Sequence, residues 1–171
     1  MGLEKIFGDG RKACYKDSYK RISKYLSHYI KGERCFAEIA SVLLLVVDLS
    51  VYKNNKNRQA VADLLYPEAV KLTGKSQNYL LSRVSFYSQF IRGKQPRADY
   101  CFGNGNIDDP LLRVVVALGD TVFNSDLIDD YDNAPVLLTG IDVNMKYFNV
   151  MRNDVSREIA FLFDFEGKRH W

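Results

Sequence analysis

The chain is poor in the residues that build cross-linked or metal-centred folds. Its 171 residues include three cysteines, Cys14, Cys35 and Cys101, and two histidines, His28 and His170. An odd, low cysteine count without a C-x-x-C pair is not a disulfide framework and fits reduced thiols in a cytoplasmic protein. The same scarcity argues against a Cys/His zinc site, and no cofactor is expected. Only four prolines occur, and no stretch rich in Pro, Gly or Ser separates two parts, so residues 1–171 read as a single domain. Long apolar runs are also lacking. The most apolar segment, Ile39 to Val51, spans 13 residues and contains Ser41, Asp48 and Ser50. It is too short and too polar to span a membrane and suits a buried core helix. The segment Met1–Gly10 carries Glu4 and Asp9 with no apolar centre, so it does not read as a secretory signal. Gly2 is followed by Ile6 where a myristoylation motif has Ser or Thr. There is no G-x-S-x-G, and neither His28 nor His170 has an identifiable nucleophile beside it. These absences point away from an enzyme.

What is present is charge, unevenly distributed. The net charge of +3 conceals residues 1–98 with 18 Lys/Arg against 8 Asp/Glu, and residues 99–171 with 6 against 13. The first part is +10 and the second −7.

Hydrophobic periodicity assigns helices to most of the basic part. Tyr15, Tyr19, Ile22, Leu26, Tyr29 and Ile30 recur at steps of three and four, which predicts a helix over about 12–31 closed by Gly32. A second helix is expected over about 33–53, apolar nearly all round from Ile39 to Val47 and therefore central. A third starts near Asn57, is kinked or restarted by Pro67, and stops at Gly74. Ser76 is the N-cap expected of a fourth, Gln77 to Arg92, ended by Gly93. Residues 94–110 read as a long turn-rich loop. Beyond it Leu111–Leu118 fits helix or strand, Asn124–Asn133 an acidic loop or short helix, and Pro135–Thr139 a short strand. Asp142–Met151 and Asp154–Phe163 read as helices. The expected fold is mainly α, a bundle of five to seven helices, with room for a minor strand pair near 111–139.

Two constellations could carry function. On the first helix, Lys12, Lys16, Lys20, Lys24 and His28 follow at i+4 and form a ridge flanked by Arg21. Arg83, Arg92, Lys94 and Arg97 are candidates to extend it. Lysines in a row neutralise phosphates, and eight of the eleven tyrosines lie before residue 98, where they could stack on bases. The expected partner is therefore nucleic acid or a nucleoprotein complex, bound without catalysis. The second constellation is aspartate-rich: Asp108, Asp109, Asp126, Asp129, Asp130 and Asp132. It suits a regulator or inhibitor that docks on a basic protein surface, with imitation of nucleic acid as one form of that reading. A metal reading would use Asp126, Asp129, Asp130 and Asp132, but no EF-hand spacing is present: with Asn104, Asn106 and Asp108 as ligands one, three and five, Asp109 stands where that loop needs Gly and Val115 where it needs Glu. The two halves can also simply neutralise each other within one fold.

Ala69 to Ser76 fits a relaxed phosphate-binding loop with Ala for the first Gly. Such a loop needs a preceding strand, which the sequence does not supply, so a phosphate-handling enzyme at Gly74–Ser76 is the third and weakest of the functional readings. Ser82–Pro96 lacks the turn glycine of a helix-turn-helix reader and reads as one continuous helix.

Overall fold

A helix that is apolar on every side must be surrounded, and the second helix is. The computed structural model describes residues 3–30, 32–51, 55–97, 106–123, 125–133 and 149–167. Its helices are α1 (Leu3–Leu26), α2 (Glu33–Val51), α3 (Asn55–Thr73), α4 (Gln77–Ile91), α5 (Pro110–Phe123) and α6 (Ser156–Gly167). A 3-10 turn, Ser125–Ile128, follows α5, and a π-helical turn, Val150–Val155, leads into α6. The protein is a mainly α-helical bundle, and no strand occurs among the described residues. Helix α2 lies against α1, α3, α4, α5 and α6. Every residue from Ala37 to Val47 is buried.

Helices α1, α3 and α4 each turn one buried stripe to this axis. In α1 the buried positions are Arg11, Tyr15, Ser18, Ile22 and Leu26, at steps of three and four. The Tyr15 hydroxyl donates to the Ala40 carbonyl of α2 at 2.8 Å. In α3 the buried set is Val61, Leu65, Glu68 and Ala69, and in α4 it is Leu80, Tyr87 and Phe90. Ser76 caps α4 as expected, its hydroxyl accepting the Tyr79 amide at 3.1 Å. Gly93, just beyond α4, sits at φ 120°, a conformation that favours glycine.

Several boundaries differ from the pattern-based expectation. Helix α1 begins at Leu3 rather than near Lys12. Gly8 and Gly10 interrupt the apolar row there, but propensity is a weak prior that a long helix overrides. Its other end comes earlier than Lys31, in a turn where the Tyr29 amide donates to the Leu26 carbonyl. Pro67 neither ends nor restarts α3, which runs unbroken past it. The segment 111–118 is helix, not strand, so that half of the strand pair is corrected. Its Val114-Val115-Val116 run favours strands, but Asp109 accepts the Leu111 amide at 2.9 Å and Pro110 occupies the first helical position. Burial from Arg113 to Val122 then holds the helix. The strand expected at Pro135–Thr139 and most of the helix expected at Asp142–Met151 lie outside the described residues.

The bundle has a charged centre. Glu38, fully buried on α2, receives Arg83 Nε at 2.9 and 2.8 Å, Tyr79 Oη at 3.1 Å and Tyr87 Oη at 2.8 Å. The Arg83 Nη1 also donates to the Ile128 carbonyl at 3.1 Å, and Tyr87 Oη lies 2.7 Å from Thr121 Oγ1 of α5. One carboxylate thus ties α2 to α4, α5 and the 3-10 turn. Removing one partner of a buried ion pair leaves the other uncompensated. Glu38→Ala is therefore expected to lower the free energy of unfolding by about 3–5 kcal/mol in urea titrations. A loss under about 1 kcal/mol, the level of an exposed pair, would contradict this assignment.

Candidate nucleic-acid interface

The lysine ridge forms, but it does not stay on one side of the helix. At 3.6 residues per turn, each step of four rotates the next side chain by about 40°, so the row winds about 120° from Lys12 to Lys24. Its first half faces α3. There Lys12 Nζ lies 3.8 Å from Glu68 Oε1 and Lys16 Nζ lies 3.9 Å from Oε2. Lys71, one turn on from Glu68, approaches Oε1 at 3.5 Å. Its second half turns outward. Lys20, Lys24 and His28 are exposed, and among the described residues no carboxylate pairs with Lys20 or Lys24. Lys71 was not anticipated from the sequence. It joins the face because it lies one turn after Glu68 on α3, at i+3.

The other basic candidates are drawn into the fold. Arg21 Nη2 lies 2.8 Å from Glu158 of α6, and Ser18 donates to the same oxygen at 3.0 Å. Arg83 belongs to the Glu38 cluster. Lys94 Nζ pairs with Asp132 at 2.8 Å and sits over the rings of Phe90 and Tyr131. The Arg97 guanidinium donates to the Tyr131 carbonyl, and its backbone amide donates to Asp120 at 3.1 Å. Arg92 is exposed and donates to Ser88 Oγ at 2.9 Å.

Three tyrosines, Tyr15, Tyr87 and Tyr131, are core residues, while Tyr19, Tyr25, Tyr29, Tyr66 and Tyr79 are half-buried. Tyr15 and Tyr87 have no exposed surface, and Tyr131 has 5%. Burial raises the Tyr15 and Tyr87 hydroxyls well above their ordinary pKa, with the neighbouring Glu38 adding to the effect at Tyr87. Burial and then Asp120 raise Tyr131 likewise. These rings are not open to a base.

The aspartates divide in the same way. Asp109 caps α5. Asp129 accepts both Nη atoms of Arg34, at 2.5 and 3.2 Å, and Asp132 is held by Lys94. Asp130 accepts the Asn133 side-chain amide at 3.0 Å. Asp108 is exposed, and its carbonyl accepts from Arg113 at 3.0 Å. The side chain of Asp126 lies outside the described residues. Among the described residues, no three His, Cys, Asp or Glu side chains are grouped to hold a metal ion.

Gly74 to Ser76 is a helix stop followed by a helix start. The Gly74 amide donates to the Val70 carbonyl at 2.9 Å, and Gly74 adopts φ 66°. The residues before it, Ala69–Thr73, are the last turns of α3, where a phosphate-binding loop needs a strand. No helix among the described residues is long and apolar enough to cross a membrane.

One buried cation gives no conspicuous sequence signal. Arg113 donates through Nε to the Phe90 carbonyl at 2.6 Å and through Nη2 to Ile91 at 3.2 Å. Its Nη1 donates to Ile107 at 2.8 Å. It closes the carbonyl end of α4, where a helix leaves acceptors unsatisfied and favours a cation.

Comparison with known proteins finds no matching family model, no matching curated protein and no matching solved structure.

The Arg34–Asp129 pair makes a titration prediction. Hydrogen bonding and charge from Arg34 hold the Asp129 carboxyl below its ordinary 3.8. A depressed carboxylate stabilises the fold above its unfolded pKa, and that contribution fades as pH falls through the folded value. Carbon-detected NMR should find the Asp129 midpoint below 3.8 in the wild type. Arg34→Gln should return the midpoint upward, and an unchanged midpoint in that variant would contradict the pairing.

Proposed function

We propose that the protein binds nucleic acid without catalysis, through the phosphate backbone, on a face formed by Lys12, Lys16, Lys20 and Lys24 of α1 with Lys71 of α3. The observation that carries this reading is an imbalance of charge at one place. Elsewhere most of the candidate basic side chains are paired or hydrogen-bonded within the fold. Among the described residues, five lysines on this face stand against two carboxylates, Glu68 beside Lys12, Lys16 and Lys71 and the exposed Asp17 of α1. Like charges at i,i+4 cost roughly 0.2–0.5 kcal/mol per pair in a helix, so the ridge is an unfavourable arrangement that a polyanion would relieve.

The burial of Tyr15 and Tyr87 and the lysine make-up of the face support a narrower form of the proposal. Binding through stacked, splayed bases needs open aromatic faces. The face itself is made of lysines, whose contacts fall on phosphates, which fix position and carry no sequence information directly. The expected ligand is therefore duplex nucleic acid, bound with little sequence preference.

Affinity for a random-sequence DNA duplex should fall steeply with salt, with a slope of about −0.9 per phosphate neutralised. Replacing Lys16, Lys20 and Lys24 together by Glu should abolish binding in a fluorescence-anisotropy titration, while Arg92→Glu should leave it essentially unchanged. Equal binding by the triple variant would remove α1 as the site. Loss of binding in Arg92→Glu would move the site to the end of α4.

A further inference from the structure

Glu68 occupies an unusual place on the proposed face. Its side chain is 10% exposed, yet three ammonium groups surround it: Lys12 and Lys71 at one carboxylate oxygen and Lys16 at the other. The separations, 3.8, 3.5 and 3.9 Å, are those of charges held near one another rather than of close hydrogen bonds. The lysines remain open to solvent, with side-chain exposures of 35%, 74% and 43% for Lys12, Lys71 and Lys16. An oxyanion set among three lysines from two helices has the arrangement that those lysines would give to a phosphate oxygen pair. The acid is also on the inner side of the cluster, anchored in α3 beside the buried Leu65 and Ala69.

We infer that Glu68 is an internal anion that competes with nucleic-acid phosphate for Lys12, Lys16 and Lys71, and so sets the affinity and salt range of the α1–α3 face. This rests on the proposed reading of that face. The carboxylate gathers the three lysines and at the same time neutralises part of their charge. A phosphate approaching from solvent meets a preassembled group of cations but must share it with Glu68.

The test compares the wild-type chain with Glu68→Gln, using one random-sequence DNA duplex over a series of salt concentrations. Circular dichroism and thermal melting establish that each variant is folded. Glu68→Gln keeps the shape of the side chain and removes its charge. It should bind roughly fivefold more tightly near physiological salt, the effect of deleting one like charge at close range in a solvent-exposed setting. The slope of log affinity against log salt should steepen by about one phosphate contact. Adding Lys71→Gln to that variant should reverse most of the gain.

If wild type binds and Glu68→Gln binds equally or more weakly, the inference is overturned and the reading of the face stands. Binding by the variant alone would support the competition and overturn nucleic-acid binding as the function of the natural chain. If neither binds, both fall. Should Glu68→Gln fail to fold, Lys71→Gln in the wild-type chain carries the test, since its side chain is largely exposed. It should weaken binding and flatten the salt slope, and no change in either would overturn the inference.

Discussion

A carboxylate within the buried stretch of α2 constrains everything around it. Glu38 has no exposed surface, and an isolated charge in that position is untenable unless the fold brings donors to it. Arg83, Tyr79 and Tyr87 meet that need, and all three lie on α4. Their spacing, at steps of four, sets one face of α4 against α2. The network continues to Thr121 of α5 and, through Arg83, to the Ile128 carbonyl in the 3-10 turn. The orientation of four elements thus follows from satisfying one buried anion. Hydrophobic burial alone would allow α4 to rotate or slide by a turn with modest loss. A charge with directional partners does not.

The same principle governs the surface. The chain is strongly dipolar in sequence, but the structure folds many of its charges back on one another. Arg34 meets Asp129 and Lys94 meets Asp132, each pair joining the basic part to the acidic part. Arg21 meets Glu158 across α1 and α6. Pairs this exposed add little to stability individually. Their importance is subtractive, because they remove Arg21, Lys94, Asp129 and Asp132 from the stock of uncompensated charge. The face around Lys12, Lys16, Lys20, Lys24 and Lys71 keeps an excess of one sign, and that excess underlies the functional proposal.

Much of the bundle was legible in the sequence because its signals are local. The all-round apolar character of α2 marked it as central, and Ser76 and Gly93 marked the limits of α4. For α5 the decisive signal was also local but had a strong competitor. Asp109-Pro110 is a helix start, yet three consecutive valines favour a strand. The candidate interface was legible only in part. The i+4 spacing showed the ridge, but not that its first half would meet an acid from α3. Nor could a one-dimensional pattern distinguish Arg83, committed to a buried carboxylate, from a basic residue open to a ligand. Long-range pairing decides that, and Glu38 lies 45 residues away in sequence. Lys71 was missed for the complementary reason, since only the packing of α3 beside α1 brings Glu68 and Lys71 to the ridge.

The central claim is that uncompensated charge, rather than total charge, locates the interface. Chemical-shift mapping tests it directly. Backbone amide and lysine side-chain resonances would be followed while a random-sequence DNA duplex is added to the protein. The account predicts perturbations centred on Lys12 to Lys24 and on Lys71, with Arg83 and its partners at Glu38 undisturbed. Perturbations centred on Arg92 to Arg97, or no perturbation at duplex concentrations up to the millimolar range, would contradict it.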